Sequence, residues 1–275
     1  MFRLDPDTFK RIHPIEFHRR FLANGIRPDG RESLLSWRTP VVHTGSITTC
    51  NGSAMVRVGA TAVLCGIKAE IAVPSAAEPT RGFVVSNVDL PALCSSNFRP
   101  GAPGEFTQSI SDTVQSVVES AVDMDGLCIE PDRAVWVLYA DIVFLNYEGA
   151  AMDAALLALM AALRNTRLPS KTVYSPTDGT VRASSDLSVP ITLKHLPVAS
   201  TFGVVEAGGG RMLMADPTED EDAIVGSRVS VVVDALSGDL MGTFGGHIPL
   251  ELLEQSVVLA TQRAKEVGQI VGASK

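Results

Sequence analysis

The densest concentration of reactive groups in the sequence is acidic: Glu219, Asp220, Glu221 and Asp222 run together, with Asp216 upstream and Arg228 downstream. Hard cations favour carboxylate oxygens, so a magnesium site is one reading of this run. Consecutive carboxylates without the glycine-turned spacing of a cation loop read better as a solvated acidic loop. Gly208, Gly209 and Gly210 could cradle a phosphate, but they fall between two strand signals rather than before a helix, which makes them a hairpin connection. His13, His18, His43, His195 and His247 offer no pair at ligand spacing and no visible Ser or Cys partner. Cys50, Cys65, Cys94 and Cys128 lie far apart with no CxxC pair, as reduced, packed thiols of an intracellular protein do. Neither a metal nor a cofactor is expected.

The elements that would position these groups follow from periodicity. Apolar residues among charges from Pro14 to Asn24 predict a short amphipathic helix stopped by Gly25. Arg27-Pro28-Asp29-Gly30-Arg31 reads as a solvated turn. Alternating, β-branched sequence from Val41 to Ile71 predicts three antiparallel strands, with breaks at Asn51-Gly52 and Gly59-Ala60. Asn-Gly is the pair that tight hairpin turns favour. A strand over Phe83–Leu90 and a Pro-, Ser- and Gly-rich loop over Pro91–Glu105 lead into a helix over Phe106–Val122. A strand over Ala134–Leu145 and a helix over Gly149–Asn165, apolar nearly all round and therefore central, repeat the pattern. After a polar connection, Leu168–Asp186, strands are expected over 191–196, 201–205, 212–215, 229–234 and 239–244, and a closing helix over 249–267. Meanders followed by paired helices, given twice, make an α+β chain.

Composition narrows the function. A chain of 275 residues with 45% hydrophobic content can bury a substantial core without disulfides. The net charge of −8 opposes a surface that grips nucleic acid everywhere, so any RNA contact must be local. Met1 to Phe21 lacks the apolar core of a signal peptide, and the longest apolar run, Ala154–Leu163, is too short to span a bilayer. No membrane role is expected.

Three segments together carry a family resemblance: Arg27-Pro28-Asp29-Gly30-Arg31, the loop from Asp89-Leu90-Pro91 through Gly101-Ala102-Pro103-Gly104-Glu105, and Asp216-Pro217-Thr218. In these the chain resembles the RNase PH-like ring subunits of the eukaryotic RNA exosome, over nearly its whole length. The resemblance implies an α+β, RNase PH-like fold, two-layer with a duplicated β-sheet plus paired helices. It implies one unit over 1–275, with halves at about 25–165 and 185–270, and an N-terminal extension and helix over 1–24. It also implies a place in a six-membered ring with related RNase PH-like subunits, S1/KH cap subunits and RNA in a central channel. The compartments it implies are nucleus, nucleolus and cytoplasm.

Active members of that family hold phosphate with a Gly-Ser/Thr-Arg turn at a helix start and use two aspartates six residues apart. On this sequence the turn reads Gly149-Ala150-Ala151-Met152, so Ala151 and Met152 stand at the hydroxyl and arginine positions. Asp222 falls on the first aspartate position and Arg228 on the second. A guanidinium stays protonated and cannot serve as a general acid or base. Asp153, next to the turn, would repel phosphate further. The expectation is a non-catalytic scaffold in 3′-to-5′ RNA processing and degradation; the alternatives are a phosphorolytic exoribonuclease subunit with a composite site, or an RNA-binding adaptor. The stretch Glu105–Asp132 holds no Lys or Arg, which leaves Arg99 and Arg57 as the RNA-contact candidates, against bland roles as a surface charge and a salt-bridge partner.

Overall fold

A computed structural model describes residues 6–23, 26–176, 178–207 and 210–273. Two short helices open it, α1 (Pro6–Ile12) and α2 (Pro14–Ala23). Gly25, the expected stop, lies outside the described residues. Strands β1 (Pro40–Thr44), β2 (Gly52–Val58), β3 (Thr61–Ala72) and β4 (Phe83–Asp89) precede helix α3 (Glu105–Ala121). Then come β5 (Cys128–Glu130), β6 (Ala134–Asn146) and helix α4 (Ala151–Asn165). The short strands β7 (Arg167–Pro169), β8 (Thr172–Ser175), β9 (Thr180–Ala183) and β10 (Leu187–Pro190) follow. The chain continues through β11 (Pro197–Ala207), β12 (Gly210–Ala215), the one-turn helix α5 (Glu219–Asp222), β13 (Ser227–Asp234), β14 (Leu240–Gly245) and α6 (Leu250–Ala273).

Two main sheets result. The first runs β1-β2-β3-β6-β4, with β5 against β6, and only the β4–β6 pairing is parallel. The second is an antiparallel sheet in the order β12-β11-β13-β14. Helix α4 packs on β2 and β3 of the first sheet and on β11 of the second. That position explains its sequence: from Ala151 to Leu163 every residue is buried except Asp153, which is largely so, and the alanines allow close packing against the sheets. Leu156, Leu159 and Leu163 are among the largest fully buried side chains, each worth about 1.5–3 kcal/mol on transfer from water. Helix α6 turns Ala260, Ala264, Val267 and Val271 inward, the spacing of one helical face. A smaller cluster, Leu22 against Val205 and Met214, fastens α2 to the second sheet.

Several local expectations need correction. The tight hairpin sits at Gly59-Ala60, between Val58 and Thr61, where Gly59 takes φ 61°. Asn51 instead ties down β3: its backbone N–H donates to the Ile67 carbonyl and its Oδ1 accepts from the Ala69 N–H. Gly52 is small because α4 passes close, and a Cβ there would lie 2.1 Å from Thr166 Oγ1. The polar connection 168–186 carries short strands that the sequence did not show: β8 and β9 form a hairpin, and β7 pairs with β10. Residues 191–196 hold no strand, only an isolated bridge from Leu193 to Val122.

Candidate functional site

A cavity of about 410 Å³ opens where the N-terminal turn of α4 meets the start of α3 and the facing ends of β13 and β14. Ala151 and Met152 line it together with Asp222 and Arg228, seventy residues further along the chain. The turn that presents the first two is left-handed at consecutive residues, Gly149 at φ 85° and Ala150 at φ 51°. Gly149 is required there, since a Cβ would stand 2.4 Å from the Pro217 carbonyl oxygen. Ala150 holds the same handedness at a cost of about 1–2 kcal/mol. Met152 is buried, and it brings a thioether to the place where the resemblance puts a cation.

Across the cavity, Arg228 Nη2 lies 3.4 Å from Asp222 Oδ2, and its guanidinium sits 5.7 Å from the centre of the Phe106 ring. Asp222 is not the solvated loop carboxylate its sequence context suggests. Its side chain is only 14% exposed, and its Oδ1 is buried without a hydrogen-bond partner. Burial outweighs the attraction of Arg228 and pushes its pKa up to about 6. Asp153 does not face the cavity: its carboxylate accepts from the Thr201 N–H at 2.9 Å and from Thr201 Oγ1 at 2.6 Å. It too is pushed up to about 6, burial overriding those hydrogen bonds.

The rest of the acidic run serves structure. Thr218 and Glu221 form a capping box at α5. Glu221 is buried and receives both Nε and Nη2 of Arg27, while Arg27 Nη1 donates to the Ala215 carbonyl at 2.7 Å. Arg31 reaches the Asp216 carbonyl at 2.9 Å, and Arg38 grips the Asp216 carboxylate at 2.6 and 2.9 Å and Glu148 at 3.1 Å. The expected solvated turn around Pro28 is thus a clamp whose arginines point inward and hold the loop that carries Asp222. The sequence showed the motif but not its partners, which lie nearly two hundred residues away. Phe106 and Phe244, also lining the cavity, escaped notice because a lone aromatic at an element end carries no periodic signal.

The remaining candidates sit elsewhere. Arg99 is exposed on the loop before α3, and no ion pair involves it among the described residues. Arg57 is exposed near the β2–β3 hairpin, where its Nε donates to the Gly59 carbonyl at 2.9 Å instead of forming the expected salt bridge. Neither lines the cavity. Gly208 and Gly209 lie outside the described residues; β11 ends and β12 begins on either side of them. Among the described residues no group of three or more His, Cys, Asp and Glu side chains could hold a metal ion, and no helix is long and apolar enough to cross a membrane.

Residues 36–169 match domain 1 of the 3′ exoribonuclease family, and residues 195–263 match its domain 2. The chain belongs to the 3′ exoribonuclease family. Among its relatives is the exosome complex component rrp43 of Schizosaccharomyces pombe, 34% identical and covering 94% of this chain and 95% of that protein. The exosome complex component Rrp42 of Methanopyrus kandleri is 32% identical, with 98% and 99% covered. An Archaeoglobus fulgidus exosome chain, solved with RNA bound to the active site, superposes at a TM-score of 0.79 with 25% identity, covering 93% of this chain and 96% of its own length. The α+β, RNase PH-like fold expected from sequence is therefore correct, and the cavity sits between the two domains that define this family.

Proposed function

We propose that this chain is a non-catalytic ring subunit of an RNA exosome, supporting 3′-to-5′ RNA processing and degradation, rRNA processing and mRNA turnover included. The observation that carries the reading is the cavity's lining: Met152 and Arg228 both stand in it, at the positions to which the family resemblance assigns a phosphate-binding arginine and a second aspartate. Without a clamp for the attacking phosphate, a helix N-terminus supplies only about 0.3–1 kcal/mol towards an anion at an exposed site. In this reading the chain acts as one unit, with halves at about 25–165 and 185–270. Its partners are related RNase PH-like subunits, S1/KH cap subunits, and RNA that touches it at Arg99 and Arg57. It works in the nucleus, nucleolus and cytoplasm.

Labelled single-stranded RNA given phosphate and Mg²⁺ should release no nucleotides with this chain, and purification from cells should bring down a set of RNase PH-like subunits. A second reading, a composite phosphorolytic site, draws on Asp222, whose pKa near 6 suits a general acid. Nucleotide release abolished by Asp222→Ala would establish that second reading and remove the first.

A further inference from the structure

We propose that His18 makes the two N-terminal helices a pH-released strap: α1 and α2 dock on the second sheet and α5 while its imidazole is neutral, and lift away when it takes a proton. Helix α2 packs on β11 and α5. Its inward face carries Leu22 and, one helical turn earlier, His18, which is 3% exposed. Neither ring nitrogen of His18 reaches solvent or has a hydrogen-bond partner, so the neutral ring is held as an apolar plate, with Phe17 edge-on at 5.5 Å. A proton on that ring needs a counter-ion or water.

No surrounding group is free to hold that charge. Asp220 of α5 lies 3.7 Å from Nε2, is more than half exposed, and already pairs with Lys10 of α1 at 3.2 Å. Glu221, next along α5, is committed to Arg27 and Arg31. On α2 itself Glu16 pairs with Arg20 at 3.0 Å and Arg19 is exposed, as is His13 just before the helix. The second sheet meets α2 through Val205 and Met214, neither of which titrates. Burial therefore dominates and holds the imidazole below its ordinary 6.5, with Asp220 pulling it up, Lys10 pushing it down and Glu221 pulling it up. The released helix takes the proton more readily than the docked one. Docking is thus strongest above pH 6.5 and weakens as pH falls below it, until the docked ring titrates too. Release bares Val205 and Met214 and takes Lys10 away from Asp220, which stands on the same turn as the cavity's Asp222.

Hydrogen exchange read by mass spectrometry tests this on the full chain in complex with a co-expressed RNase PH-like partner, at about pH 7.5 and 5.5, with labelling times scaled to the intrinsic exchange rate. Amides of α2 should lose protection several-fold at the lower pH, about tenfold at most for a histidine that titrates at 6.5 once released, while α4 keeps its protection. His18→Phe should abolish the pH response. Two surface variants decide the matter if that one does not dock. Lys10→Met lifts the repulsion and frees Asp220 for the ring, so it should shrink the response; Asp220→Asn should enlarge it. Protection of α2 unchanged between the two pH values, a response that persists in His18→Phe, or Lys10→Met and Asp220→Asn shifting it in the same direction would overturn the proposal. Loss of protection in α4 as large as in α2 would overturn it too, since the whole chain and not the strap would then be opening.

Discussion

Asp222 is the residue whose environment and ancestry pull apart. Its carboxyl titrates near 6 when folded and near 3.8 as an ordinary aspartate. Raising an acid's folded pKa makes its contribution to stability fully present below about pH 4 and lost as pH rises through 6, because the unfolded chain ionises first. Asp222→Asn removes that loss. The variant should match the parent below pH 4 and exceed it above pH 6 by roughly 2–3 kcal/mol, since the value near 6 already includes the attraction of Arg228. Urea unfolding between pH 4 and pH 8 reads this directly, and a variant less stable than the parent at pH 8 would show that the Arg228 attraction outweighs burial. The fold brings this carboxylate to the same cavity as Ala151, Met152 and Arg228. The sequence could not disclose the burial, because Asp222 ends a run of four acidic residues whose inward and outward members look alike until α5 forms.

At the scale of elements, the long ones were legible and the short ones were not. Helix α4 declared itself through an apolar run that had to be central, and strands β2, β3 and β6 through alternation or continuous burial. The β8–β9 hairpin was hidden because its exposed strands carry no alternation. The Asn51-Gly52 pair misled because the small residue answers the close pass of α4, not a turn. The clamp around Pro28 joins α2, the second sheet and α5, and its energetics follow from burial. Arg27→Met leaves the buried Glu221 carboxylate with only Arg31 Nη2 at 3.4 Å and the Thr218 N–H at 2.9 Å, which should cost about 3 kcal/mol, whereas adding Glu221→Leu should recover most of that loss. Equal destabilisation by the single and double variants in thermal melts would mean that the ion pair, not the removal of its orphan, holds the loop. The turn before α4 gives a prediction of opposite sign. Ala150→Gly relieves a left-handed alanine and should stabilise the chain by about 0.5–1 kcal/mol, while Gly149→Ala should destabilise it through the contact with Pro217.

On the scale of the whole molecule, charge and exposed apolar surface point the same way. The chain carries a net charge of −8, and helix α3 presents Glu105, Asp112 and Glu119 with no basic residue in its length. Both main sheets end in open edges, β1 and β4 in the first and β12 and β14 in the second, with Val41, Val85 and Leu240 about half exposed along them. Open apolar edges invite pairing with another chain. Expressed alone, the chain should self-associate, and light scattering on a size-exclusion column should find a one-to-one complex once a related RNase PH-like chain is supplied. RNA affinity then becomes a property of the assembly. The free subunit should bind single-stranded RNA no tighter than about 10 μM at physiological salt, with a shallow salt dependence, because few phosphates meet cations of its own. In the assembled ring, Arg99→Ala should lower the slope of log affinity against log salt by about one, the signature of a single lost phosphate contact, and Arg57→Ala should change it less, since that guanidinium already serves the Gly59 carbonyl. A slope unmoved by Arg99→Ala would place the RNA path away from the loop before α3 and leave the subunit's part in RNA handling purely architectural.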